Sequence, residues 1–173
     1  MPDYLNTGKV ITFDNVNYNL LWSSHPSDNY YKQEYLPEKD TLGRFKKLIL
    51  LEFVKGKTPV KDIVETKIAE LDSLKKSDPM INYQMFEKEG EIMLDFIVSE
   101  NIPDTKELNI VERNVYRYKS FTGVNNKEGV LLFGVSERAY GEDINNFLLT
   151  LKEKRFDLPN TVGAFVIPGI IVE

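Results

Sequence analysis

Two helical patterns that lie back to back constrain the fold of this chain most strongly. They occupy residues 41–76 and meet at the segment Lys-Gly-Lys-Thr-Pro, residues 55–59. Gly56 is a common helix terminator, Thr58 a common N-cap and Pro59 a common first helical residue. The segment therefore predicts that one helix ends and a second begins within five residues.

Each predicted helix carries one apolar face. The first is capped by Asp40 or Thr41, and its inward positions are Leu42, Phe45, Leu48, Ile49 and Phe53. The inward positions of the second are Val60, Ile63, Val64, Ile68, Leu71 and Leu74. Apolar residues at this spacing form a single stripe along a helix. We expect the second helix to pack on a sheet through Ile63, Ile68 and Leu71.

Strand patterns make up most of the remaining chain. They pair as hairpins over residues 9–13 with 18–23, 81–86 with 91–99, and 108–121 with 130–138, and a further strand covers residues 30–36. Residues 25–28 are expected to form a loop, residues 142–154 a helix, and the segment after Asn160 a closing strand. Because hairpins join antiparallel neighbours, the sequence predicts an α+β fold. In it a mostly antiparallel sheet carries about three packed helices, in a single globular domain of residues 1–173.

Composition excludes several function classes. The net charge of −5 argues against a nucleic-acid partner, which requires a basic face. The lack of cysteine excludes disulfides, thiolate metal sites and cysteine nucleophiles. No apolar run reaches the roughly 18 residues of a membrane helix. The first residues lack the pattern of a signal peptide, so we expect a cytoplasmic protein if the chain is full length, or an exported one, as in many cysteine-free bacterial proteins, if a leader was removed.

The motifs of common catalytic and cofactor sites are also missing. His25 is the only histidine, so no histidine-rich metal site is expected. Its neighbours Ser23, Ser24 and Asp28 are too close in sequence to form a hydrolase triad, and no Gly-x-Ser-x-Gly elbow is present. The glycine-containing segment 123–129 lacks the Gly-Lys-Ser/Thr ending of a phosphate loop. We therefore predict no cofactor, no metal and no catalytic residue, with His25 serving in a loop.

The strand over residues 111–121 gives the best binding signal. Alternation places Arg113, Arg117 and Lys119 on one face, and Tyr116 and Tyr118 on the other. Arginine and tyrosine are favoured at interfaces because each combines a broad surface with a polar end. The sequence predicts a non-enzymatic binding or accessory domain that recognises a protein or anionic partner through a sheet face. The basic side should then be partly open and the tyrosines should face helices, whereas in a purely structural role the arginines form salt bridges.

Asp95 supports an alternative function, because it interrupts an otherwise apolar strand. Asp95 either faces solvent beneath a helix edge or pairs with Arg113 or Arg117. We favour the pair, because a buried carboxylate needs a partner. The alternative is a small-ligand-binding protein or weak hydrolase whose pocket, between sheet and helices, uses Asp95, Arg113, Tyr116 and Tyr118. A deep pocket with a strongly perturbed carboxylate would favour this function, and a shallow aromatic and basic face would favour the first.

The order of these elements resembles the PsbP-like family, the extrinsic proteins of photosystem II, whose fold also occurs in a nuclear-transport factor that binds the GTPase Ran. The resemblance rests on residues 30–37, the helix after Thr41, the hairpins and the late helix. It implies an α/β/α sandwich and a binding or accessory role more often than an enzymatic one. No functional residue is carried over from it.

Overall fold

The computed structural model describes residues 1–173, apart from the side chain of Asn125. Its strands are β1 Val10–Phe13, β2 Val16–Ser27, β3 Tyr30–Leu36, β4 Lys47–Lys55, β5 Asn82–Lys88, β6 Glu91–Asn101, β7 Leu108–Thr122 and β8 Glu128–Tyr140. Its helices are α1 Val60–Leu74, α2 Ile144–Glu153 and α3 Asp157–Ala164, with short 3-10 turns at Val124–Asn126 and Gly141–Asp143. The described strands form one antiparallel sheet in the order β1-β2-β3-β4-β8-β7-β6-β5. The strands β1 and β5 are therefore its edges.

Helices cover both faces of this sheet. On one face, Val64 and Leu71 of α1 pack against Leu94 of β6. On the other, Leu158 of α3 packs in the cluster that contains Phe133 of β8, and α2 lies on that face across the ends of β7 and β8. We name these the α1 face and the α3 face. The α+β class is confirmed, and the layers stack as helix, sheet and helix.

None of the helices that the structure describes has the length and apolar character needed to cross a membrane.

Local turn chemistry sets the predicted hairpins. Asp14 and Asn15 join β1 to β2 with φ angles of +49° and +61°, and Glu89 and Gly90 join β5 to β6 with +52° and +79°. Two-residue hairpin turns of type I′ require positive φ at both positions, which Asn, Asp and Gly tolerate best. The third hairpin, between β7 and β8, stays in register from Ile110 to the pair formed by Thr122 with Glu128. All three predicted hairpins are confirmed.

The helix predicted after Thr41 is wrong. Thr41 and Arg44 form an isolated bridge, and the following residues enter β4, the strand between β3 and β8. Ile49 and Leu51 are fully buried on the α3 face, and Leu50 is buried on the α1 face. A strand covered on both faces has a continuous apolar run rather than an alternating one. Such a run also fits a helical stripe, so its periodicity does not separate the two structures.

The second predicted helix is confirmed as α1, with Pro59 rather than Thr58 at the N-cap position. Leu71 is 1% exposed and is the most central of the three predicted packing residues. Ile63 and Ile68 are partly buried against the same cluster. Leu74 is 44% exposed and lies outside the packed stripe.

The closing strand predicted after Asn160 is wrong. Residues 157–164 form α3, with Pro159 in its first turn, where the missing N–H costs no hydrogen bond. The tail that follows is not a strand, but it packs on the α3 face. The Phe165 ring stacks on that of Phe133 at a centroid distance of 4.6 Å, and the Ile171 N–H donates to the Leu5 carbonyl at 2.9 Å. The tail therefore covers part of the sheet without pairing with it.

Candidate functional site

Arg113 is a buried residue that links the sheet to the helical layer through hydrogen bonds. It is 3% exposed and lies on the α3 face of β7. Its Nε and Nη2 atoms donate to the two carboxylate oxygens of Asp95 at 3.0 and 2.8 Å. Nη2 also donates to the carbonyl of Arg155, between α2 and α3, at 2.7 Å. The predicted pairing of Asp95 with an arginine of β7 is confirmed, and Arg113 is its partner.

Arg117 has the same role further along β7. Its Nε and Nη2 atoms donate to the Glu91 carboxylate at 2.9 and 3.2 Å. Its Nη1 donates to the carbonyls of Val162 and Phe165, at the C-terminal end of α3, at 3.2 and 2.8 Å. Cations stabilise helix C-termini in this position. The expectation that the basic side of β7 is open is therefore wrong for Arg113 and Arg117, because α2 and α3 lie over them; Lys119 is half-buried.

Tyr116 and Tyr118 face α1, as predicted. Tyr118 is 2% exposed, and the Tyr116 ring meets Phe96 edge-on at 5.0 Å. The close approach of Tyr116 to β8 requires Gly134, where a Cβ would lie 2.8 Å from the ring. Burial raises the pKa of both phenols, so both hydroxyls are neutral at physiological pH. Since Asp95 and Arg113 lie on the opposite face, the four residues of the alternative site do not share one pocket.

A set of residues that sequence reasoning did not single out lies on the α1 face of the sheet, outside the main contacts of α1. Along β3, Tyr31, Gln33 and Tyr35 are buried, whereas the side chains between them are half-exposed. The main contacts of α1 are with β6 and β7, and it makes no comparable contact with β2 or β3. Strand register brings together there Trp22, Ser24, Tyr30, Lys32, Glu34 and Glu52. We call these six residues the open sheet face.

Charge and aromatic groups alternate on the open sheet face. Lys32 Nζ lies 3.1 Å from Glu34 Oε1 and 3.8 Å from Glu52 Oε1. The same ammonium lies 5.7 Å from the centre of the Trp22 ring. Burial raises the pKa of the Glu52 carboxyl, and the nearby ammonium of Lys32 offsets only part of that rise. Burial and the Glu52 carboxylate raise the pKa of the Tyr30 phenol. With both carboxylates ionised, the open sheet face carries one net negative charge.

The sequence contains a signal for this surface. Glu52 interrupts the apolar run that forms β4, which is the same kind of signal that drew attention to Asp95. In a helix over residues 41–53, Glu52 would lie between Phe45 and Leu48, inside the predicted apolar stripe. This carboxylate is therefore a sign in the sequence against the helical interpretation. Once β4 is known to be a strand, its pairing places Glu52 directly opposite Lys32.

His25 has a structural position. The predicted loop at residues 25–28 is wrong in its bounds, since β2 continues through Ser27 and the turn follows it. The imidazole stacks on the Tyr31 ring at 4.0 Å, and its Nδ1 lies 3.0 Å from the Tyr30 carbonyl oxygen. Ser23 Oγ donates to the Pro2 carbonyl rather than to the imidazole. Within the part of the chain that the structure describes, no group of three or more acidic or histidine side chains could hold a metal ion.

Two clefts between sheet and helices lie on the α3 face, and another of about 430 Å³ lies between α1 and the sheet and includes Tyr116. One of about 460 Å³ borders α2 and includes Arg113, whose guanidinium is already bound to Asp95. Another of about 440 Å³ lies between the β5–β6 hairpin and α3. None of these clefts includes a residue of the open sheet face.

A protein-family model matches residues 5–167 of the chain. The matched range begins before β1 and ends after α3, so it includes every strand and helix given above. No curated protein and no solved structure matches the chain.

Proposed function

The chain belongs to the family whose model covers residues 5–167, and this range includes every strand and helix of the sheet and its layers. On this basis we propose one function for the matched range. It is a non-enzymatic binding or accessory domain that recognises a protein partner through a sheet face. The observation that carries the proposal is the open sheet face. There Trp22 and Tyr30 flank the ion pairs of Lys32 on a part of the sheet that lies outside the main contacts of α1.

The composition of the open sheet face suits a protein partner. Tryptophan and tyrosine dominate binding hot spots because they bury a large area with little loss of conformational freedom. Lys32 is already held by Glu34 and Glu52, so these three side chains lose little freedom when a partner covers them. The net negative charge of the surface favours a partner that presents a lysine or arginine side chain. An anionic partner has less support, because the guanidinium groups of Arg113 and Arg117 are used within the fold.

The second candidate, a small-ligand-binding protein or weak hydrolase, draws its support from Glu52. A carboxylate whose pKa is raised by burial is a common feature of active sites. Such sites are concave, however, and exclude water from the reacting groups. Glu52 lines none of the clefts described above and pairs with Lys32, which agrees better with binding than with catalysis.

A likeness to the PsbP-like family forms part of the same proposal. The antiparallel sheet with helices on both faces supports it. The strand β4 departs from the element order that suggested it, because a helix was expected there. If the likeness holds, it favours an accessory role.

The test is affinity capture with the purified protein, from a lysate of the source cells, followed by quantitative mass spectrometry. We expect the double variant Trp22→Ser and Tyr30→Ser to lose partners that the native protein retains. The matched control is Leu149→Ser, which removes an apolar side chain that is 62% exposed on α2. Circular dichroism and thermal unfolding verify that each variant is folded. Retention of the same partners by the folded double variant would contradict the proposal.

A further inference from the structure

The edge strand β5 has an unprotected backbone. Its seven residues pair with β6 in regular register, and its other side has no neighbour in the sheet. Natural sheets usually protect such an edge with a bulge, a proline, a central charge or a short strand. The centre of β5 is Gln-Met-Phe, in which Met85 is 51% and Phe86 37% exposed. This edge can therefore accept hydrogen bonds from another extended backbone.

An apolar cleft accompanies β5 on the α3 face. Register places Phe86 opposite Met93, and both line the cleft of about 440 Å³ below α3. Phe156, which is 55% exposed, lines the other wall. Gly163 of α3 leaves room there, since a Cβ at this position would meet only the Met93 side chain at 3.5 Å. The cleft is large enough for one apolar side chain that points inward from an added strand.

Unpaired cations border the same side of β5. Lys88 lines the cleft at one end of the strand, and Lys152 and Arg155 line a second hollow at the other end, beside Asn82. All three are exposed, and none takes part in an ion pair among the side chains that the structure describes. The carboxylates in the two hollows, Glu91 and Asp95, are already bound to arginines. Among the side chains that line the two hollows, the charges without an ion-pair partner are therefore all positive, although the whole chain carries a net charge of −5.

We propose that β5 binds an extended, acidic segment of a partner polypeptide as an added strand. An apolar side chain of that segment occupies the cleft between Phe86 and Phe156. Acidic side chains two residues away on either side lie against Lys88 at one end, and against Lys152 and Arg155 at the other. Main-chain hydrogen bonds supply affinity, and the alternate side chains supply selectivity, as in other cases of strand addition. This surface is separate from the open sheet face and does not depend on it.

The probe is a fluorescently labelled, end-blocked peptide, Thr-Glu-Thr-Phe-Thr-Glu-Thr, whose binding is followed by anisotropy. We expect saturable binding that weakens as salt concentration rises. Strand addition uses the N–H groups of alternate residues. Of two peptides that are N-methylated at the odd or at the even positions, one should therefore lose binding. The peptide with Lys in place of both Glu residues should also fail to bind.

The protein variants separate the two hollows beside β5 from the general charge of the surface. The double reversal Lys88→Glu and Lys152→Glu should weaken binding of the probe by on the order of tenfold or more. Lys75→Glu with Lys76→Glu makes the same charge change at the exposed end of α1 and should leave binding unchanged. Absence of saturable binding, equal binding of both methylated peptides, or equal loss in the two double variants would overturn the proposal. A concentration-dependent dimer that Met85→Lys dissociates would also overturn it, because β5 would then pair with a second copy.

Discussion

At the scale of single residues, the two arginines of β7 show how a charged side chain can belong to a core. Arg113 and Arg117 each bind one carboxylate of β6 and at least one main-chain carbonyl near α3. A buried charge is tolerated only when its partners satisfy it, and removal of one partner leaves the other uncompensated. Reversal of these charges is therefore a change to the fold, and it would not report on a binding surface.

We expect Arg113→Met to lower the free energy of unfolding by about 3–5 kcal/mol, because it leaves the Asp95 carboxylate buried without a partner. Urea unfolding followed by circular dichroism measures this loss. The double variant Arg113→Met with Asp95→Leu should recover part of it, since no charge then remains. Lys47→Met is the control, because it breaks a half-exposed pair with Glu137 and should cost about 0–1 kcal/mol. Equal losses for Arg113→Met and Lys47→Met would contradict the role of Arg113 in linking the sheet to the helical layer.

Glu52 gives a prediction about pH. Burial raises the pKa of its carboxyl above the ordinary value of 4.5, so the folded protein holds this proton more tightly than the unfolded chain does. The stability that the protonated form contributes is present below the ordinary pKa and is lost as pH rises through the raised one. Glu52→Gln cannot ionise, so its stability relative to the native protein should increase from acid to neutral pH. Denaturant titrations across this range measure the difference.

Glu65→Gln serves as the control for this experiment. Glu65 lies on α1 with a side chain that is 61% exposed, and its pair with Lys61 is at the surface. The difference from the native protein should change more between acid and neutral pH for Glu52→Gln than for Glu65→Gln. Equal changes for the two variants would show that burial does not perturb the Glu52 carboxyl.

At the scale of the elements, those set by nearby residues could be predicted from the sequence, and those set by long-range packing could not. The hairpins could be predicted because residues such as Asp14, Asn15 and Gly90 tolerate the backbone angles of their turns. The strand β4 could not, since a run buried on both faces has no distinguishing period. At the candidate site, the alternation of side chains was enough to predict which residues of β7 share a face. It could not predict that helices cover the arginine face, because the packing of α2 and α3 there depends on contacts between distant parts of the chain.

The helix α1 offers a direct comparison of burial within one element. Leu71→Ala should cost about 2–5 kcal/mol, because it removes a fully packed side chain and leaves a cavity. Ile68→Ala should cost less, since Ile68 is only partly buried. Leu74→Ala is the matched control on the solvent side, and a change within about 0.5 kcal/mol is expected there. Chemical-denaturation midpoints give the ranking, and a loss at Leu74 equal to that at Leu71 would contradict the packing of α1.

At the scale of the whole molecule, the α3 face is covered by separate pieces of chain. The helices α2 and α3 pack over β7 and β8, while residues near both ends of the chain pack in the cluster that contains Phe13 of β1. Leu5, Ile170 and Val172 are all buried in that cluster. The core of the sheet is thus incomplete without its terminal segments.

Deletion of residues 165–173 should lower the free energy of unfolding by on the order of 3 kcal/mol or more, because the buried side chains of Ile170 and Val172 each contribute about 1.5–3 kcal/mol. It also uncovers the rings of Phe13 and Phe133. Thermal unfolding and the binding of a hydrophobic dye measure the two effects. Val166→Ser changes an 86% exposed position of the same tail and should alter neither. An unchanged melting temperature after the deletion would show that the tail is not part of the core.

The contact between Leu5 and Ile171 also places the two ends of the chain next to each other. The main-chain bond of 2.9 Å and a second bond from Asn6 Nδ2 to the Ile171 carbonyl at 2.7 Å hold the two ends side by side. A short glycine-serine linker could join them, and new ends could be opened in the exposed turn at Asp104, between β6 and β7. Circular permutation is tolerated where termini are adjacent and the new break is in an exposed loop. We expect the permuted chain to give the native circular dichroism spectrum and a cooperative melt, with β7 as its first strand and β6 as its last.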